Sequence, residues 1–73
     1  MDILEHKGYY GNLAYSTEDK IFHGKVQGIR TCLLYEGYTF EEIKEDFENT
    51  IDSYLDMCSK NGTIPEKPSP YKT

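Results

Sequence analysis

Apolar and polar residues alternate with a period of two in the first half of this chain and recur every three or four residues in the second. Residues 8–16, Gly-Tyr-Tyr-Gly-Asn-Leu-Ala-Tyr-Ser, put Gly11, Leu13 and Tyr15 on one face and Asn12 and Ser16 on the other, which predicts a strand. The polar residues 17–20 have the length of a hairpin turn. Residues 21–29 then predict a second strand, with Phe22, Gly24, Val26 and Gly28 on the core side and His23, Lys25 and Gln27 outside. Glycine weakens a strand interior unless something bulky comes close. Gly11, Gly24 and Gly28, all on the inward face, therefore predict a helix lying tightly across the sheet. After a break at Arg30-Thr31, residues 32–36 predict a short third strand ending at Gly37, with Cys32 opening it. Residues 1–7 are polar and lead into the first strand.

Thr39 followed by Glu42 is a capping box, in which a hydroxyl and a carboxylate each satisfy an orphan N–H at a helix start. Phe40, Ile43, Phe47, Ile51, Tyr54, Leu55 and Cys58 form one apolar stripe at helical spacing, which stops at Asn61-Gly62, a suitable left-handed cap. Residues 63–73 contain all three prolines and predict an extended arm or a short edge strand. The expected fold class is α+β, one domain over residues 1–73. A three-stranded antiparallel sheet (8–38) is covered on one face by an amphipathic helix (39–60) and followed by the proline-rich arm (63–73).

Charge adds a second layer. Between residues 39 and 59, Glu41, Glu42, Glu45, Asp46, Glu48, Asp52 and Asp56 stand against the single Lys44, a net of −6 in a chain whose total is −5. Such a face is either merely solvated or the electrostatic half of an interface with a basic partner. The acidic balance, with a pI near 4.8, argues against nucleic-acid binding, which draws most of its affinity from Lys and Arg on phosphates. No apolar run approaches the roughly 20 residues of a membrane span, and no signal peptide is evident, so a cytoplasmic protein is expected. Cys32 and Cys58 then read as two free, buried thiols. His6, His23, Cys32 and Cys58 show no metal-ligand spacing, and no nucleophile–base arrangement or phosphate loop is present. Neither catalysis nor a cofactor is expected. At 73 residues the chain buries only about 60% of its unfolded surface, and association is a common supplement at that size.

The ordered set Gly8-Tyr9-Tyr10-Gly11, Tyr15-Ser16, Glu18-Asp19-Lys20, Phe22, Gly24-Lys25-Val26, Gly28-Ile29 and Tyr35-Glu36-Gly37 continues into Phe47, Asp52, Tyr54-Leu55 and Cys58, and ends at Pro65-Glu66-Lys67-Pro68. At this spacing it resembles the HicB family of type II toxin–antitoxin antitoxins, across nearly the whole chain. The resemblance implies a partial ribonuclease H-like domain. It also implies a partner of the HicA type, a small basic RNA-cleaving toxin that the antitoxin binds and blocks. Many such antitoxins carry a C-terminal DNA-binding module. This sequence ends at Thr73, where that module would begin, so direct DNA binding is not expected of it.

On this reading the candidate partner-binding residues are Tyr35, Glu36, Glu41, Glu45, Glu48, Asp52 and Asp56. Tyr9, Tyr10, Tyr35 and Tyr38 are candidate aromatic anchors or, alternatively, sheet packing. Self-association is expected as well, with a dimer favoured. The alternative function is a stand-alone dimeric regulatory or structural domain without a toxin partner.

Overall fold

The computed structural model describes residues 3–68. It is α+β, with antiparallel strands in two sheets and one helix. The strands are β1 (Ile3–His6), β2 (Tyr9–Asn12), β3 (Ala14–Ser16), β4 (Ile21–Lys25) and β5 (Leu34–Gly37), and the helix is α1 (Phe40–Asn61). The expected single three-stranded sheet is instead a β1-β2 hairpin and a β3-β4-β5 sheet. They are joined by a bridge between Gly11 and Val26 and by the Gln27 N–H, which donates to the Tyr10 carbonyl at 2.8 Å. These links continue the register in which Ala14 faces His23. The predicted first strand is thus one path interrupted at Leu13, whose first part pairs with β1 and whose second part pairs with β4.

Residues 1–7 are not simply a lead-in, because β1 lies among them. Its hairpin closes through Lys7 and Gly8, both left-handed at φ 54° and 86°. Two such residues make the mirror-image turn that matches the natural twist of paired strands. The second strand stops at Lys25 rather than at residue 29, since Gly28 turns the chain at φ 81°. The third begins at Leu34 rather than at residue 32, which leaves Cys32 exposed in the preceding loop. Cys58 is buried, and both thiols are free.

The close approach foreseen at the glycines exists, but the helix does not make it. A Cβ on Gly11 would sit 1.9 Å from the Tyr35 hydroxyl, and one on Gly24 would sit 2.6 Å from the Tyr35 ring and 2.2 Å from the Asn12 carbonyl. The Tyr35 side chain lies across the sheet over these two positions. Gly28 faces Pro68 and Tyr10 instead. The glycine that admits the helix is Gly37, where a Cβ would come within 2.4 Å of the Ile43 nitrogen.

α1 starts and stops as its sequence dictates. The Thr39 hydroxyl accepts from the Glu42 N–H at 3.1 Å, while the Glu42 carboxylate takes the Tyr38 N–H rather than that of Thr39. At the other end Gly62 is left-handed at φ 71°, and Thr63 N–H returns to the Cys58 carbonyl. Ile43, Phe47, Ile51, Tyr54 and Cys58 are buried, with Leu55 at the margin and Phe40 exposed. They close on Leu4, Tyr9, Val26 and Tyr35 to form the core. Each fully buried aliphatic or aromatic side chain contributes about 1.5–3 kcal/mol.

Residues 63–68 contain no strand; the rest of the expected arm, 69–73, lies outside the described residues. Glu66 fastens this segment. One carboxylate oxygen accepts from Arg30 N–H at 2.8 Å and Thr31 N–H at 3.0 Å. Its own N–H donates to the Tyr54 hydroxyl, and its carbonyl accepts from the Tyr9 hydroxyl. The two tyrosine rings meet edge to face. Backbone donors, Thr31 foremost, hold the Glu66 carboxyl below its ordinary range.

Candidate functional site

At 3.6 residues per turn, Glu41, Glu45, Glu48, Asp52 and Asp56 fall within about 80° of the α1 circumference, on the side away from the core. The stripe is continuous in sequence but not in chemistry. Its C-terminal part is neutralised within the chain. Glu48 pairs with Lys44 at 2.8 Å, and Asp56 with Lys60 at 3.2 Å. Asp52 takes Lys7 at 2.9 Å and His6 at 3.0 Å, which ties the β1-β2 turn to the helix. These partners hold the Glu48 and Asp52 carboxyls below their ordinary range, Lys44 acting on the first and chiefly Lys7 on the second. Glu41 and Glu45 are exposed and enter no ion pair among the described residues.

Tyr35 is not a surface residue. It is 3% exposed, its ring packs edge to face on Phe47 at 4.9 Å, and its hydroxyl donates toward the Asn12 and Lys25 carbonyls at 2.7 and 3.3 Å. Burial pushes its pKa up to about 12. Its neighbour Glu36 points outward, as alternation requires, and is exposed. Of the candidate anchors, Tyr9 is also core and Tyr10 half-buried, whereas Tyr38 is 69% exposed. Tyr38 is therefore the most exposed of the candidate anchors.

Two carboxylates outside the predicted set complete the site. Asp46 accepts the Glu36 N–H at 2.9 Å, and Glu42 accepts the Tyr38 N–H at 2.9 Å. Both sit on the flank of α1 that runs beside β5. Between helix and strand lies a trough made of three adjoining hollows, all lined by Asp46. The largest acidic one, about 450 Å³, is framed by Glu36, Tyr38, Glu42, Glu45, Asp46 and Ile21. The hollow toward the helix C-terminus is more apolar and is bounded by Leu33 and Met57. None of Glu36, Glu41, Glu42, Glu45 and Asp46 has an ion-pair partner among the described residues. The uncompensated charge thus collects where the end of β5 meets the first half of α1.

The sequence carried part of this signal. Glu42 and Asp46 are four residues apart and so share a helix flank, but which flank meets a strand edge depends on tertiary packing. Among the described residues no group of three or more His, Cys, Asp or Glu side chains is disposed to hold a metal ion, and no helix is long and apolar enough to cross a membrane. Comparison with protein-family models, with curated proteins and with solved structures gives no match.

Proposed function

We propose that this chain is an antitoxin-like interaction protein of the HicB type. In this reading it binds and neutralises a small basic RNA-cleaving protein of the HicA kind in the cytoplasm, and catalyses nothing itself. One observation carries the proposal: four carboxylates without cationic partners among the described residues, Glu36, Glu42, Glu45 and Asp46, line a groove that has an exposed tyrosine at its rim. Leaving like charges together without counterions is unfavourable to the isolated chain, and a basic partner relieves it. Complementary charge speeds encounter and rejects wrong partners, while an aromatic such as Tyr38 adds apolar contact area. The contact surface is accordingly narrower than the whole helix. Glu36, Tyr38, Glu41, Glu42, Glu45 and Asp46 belong to it, and the internally paired Glu48, Asp52 and Asp56 do not.

Co-expression with the small protein encoded next to this chain, followed by affinity capture, tests the reading. A stable complex that silences the partner's RNA cleavage is expected. A basic neighbour that stays free, or remains active when mixed in excess of this chain, would overturn it. Dimerisation remains part of the proposal, but not through β5, where two copies would bring Glu36 and its neighbours against their own kind.

A further inference from the structure

The outer edge of β5 offers more than charge. Val26 N–H donates to the Leu33 carbonyl at 3.0 Å, and Gly24 faces Tyr35 in the same register. Residues 33, 35 and 37 therefore spend their peptide groups on β4, and Leu34 and Glu36 turn theirs outward. Among the described residues, the Glu36 N–H is held by Asp46, whereas the Leu34 N–H and the Leu34 and Glu36 carbonyls have no partner. Leu34 is 63% exposed, and the trough runs alongside. An open strand edge is a template for another strand unless it is blocked. Here the block is a single carboxylate, placed at the centre of the trough.

We propose that the β5 edge is a strand-addition site for an extended basic segment of the partner, and that Asp46 is its exchangeable plug. An incoming strand donates N–H groups to the free Leu34 and Glu36 carbonyls, and its own carbonyl replaces Asp46 on the Glu36 N–H. The released Asp46 carboxylate then meets a cation on the incoming strand, beside Glu45 and Glu42. Side chains alternate across a strand. Cationic residues of the added strand thus face α1, while apolar ones extend the outer sheet face beside Leu34. A second copy of this chain does not fit, since its own β5 presents Glu36. The inference rests on the acidic-docking reading and adds the backbone mode of binding to it.

The test titrates the full chain with two eight-residue peptides, both alternating lysine and valine. One has an unmodified backbone and the other is N-methylated at every second residue along one edge. Amide shifts and hydrogen exchange are followed by NMR. The unmodified peptide is expected to bind with shifts centred on residues 34–38 and 46, and to protect the Leu34 amide. Methylation is expected to weaken it about tenfold, the cost of the two lost backbone hydrogen bonds to the Leu34 and Glu36 carbonyls. Equal binding of both peptides overturns strand addition and leaves acidic docking intact. No binding by either, up to millimolar peptide, overturns both.

Discussion

The most constrained point in this fold is the contact between Gly11 and the Tyr35 hydroxyl. In Gly11→Ala the new methyl would lie 1.9 Å from that hydroxyl, 2.9 Å from the ring carbon bearing it and 3.0 Å from the Lys25 carbonyl. The ring cannot retreat, because it lies on Phe47 and its hydroxyl is fixed by the Asn12 and Lys25 carbonyls. Overpacking of a tight core costs about 1–3 kcal/mol, and this site belongs at the upper end. Tyr35→Phe alone removes the donor from two carbonyls and costs about 1–2 kcal/mol. Combined, the changes partly relieve each other, because Phe lacks the hydroxyl that the alanine methyl strikes hardest, while the ring carbon at 2.9 Å stays. The double mutant should be more stable than the sum of the single losses by at least about 1 kcal/mol, as expected for residues in direct contact. In a domain of this size each kcal/mol shifts Tm by about 4–8 °C. Thermal and urea unfolding followed by circular dichroism over the four-variant cycle measures the coupling. Strict additivity, or a Gly11→Ala variant as stable as the parent, would refute the Tyr35 placement.

Other consequences are smaller. Thr39→Ala removes the acceptor of the Glu42 N–H and should cost about 1 kcal/mol in urea unfolding, whereas Thr39→Ser should cost little. Glu66→Ala should speed amide exchange at Arg30 and Thr31, which lose their acceptor, and leave the β1-β2 hairpin unchanged. Glu48, Asp52 and Glu66 have carboxyls held below their ordinary values of 4.5, 3.8 and 4.5. Their stabilisation is complete above those values and is lost as pH falls through the lowered ones. Their contribution to the urea midpoint should therefore be constant from pH 7 to about pH 5 and fall below about pH 4; an unchanged midpoint at pH 3 would contradict these pairings.

Local signals were easiest to read in the sequence. The α1 boundaries follow from Thr39, Glu42 and Gly62, and its buried face from period, because both depend on neighbours within one turn. The glycines told that something bulky crosses the sheet. They could not tell that it is Tyr35, whose burial requires the Asn12 and Lys25 carbonyls, distant in sequence, to accept from its hydroxyl. For the same reason Tyr35 reads as a surface anchor until its hydroxyl is seen to be satisfied. β1 escaped notice because Lys7-Gly8 is not a typical turn pair and because only Leu4 of that strand is buried. The acidic stripe was legible as composition. Its division into a neutralised half and an uncompensated half was not, since Lys7 and His6 reach Asp52 only after folding. The roles of Glu42 and Asp46 on the β5 edge depend on the same tertiary placement.

The central claim is that unpaired carboxylates at the β5–α1 junction, rather than acidity along the whole helix, recognise a basic partner. Titration calorimetry with the small basic protein encoded beside this chain tests it, comparing Glu41→Lys/Glu45→Lys with Glu48→Lys/Asp56→Lys. Both pairs change net charge equally. A loss of at least about tenfold in affinity for the first pair, with less than about a third of that for the second, is the expected result. Equal losses, or none for the first pair, would contradict the claim.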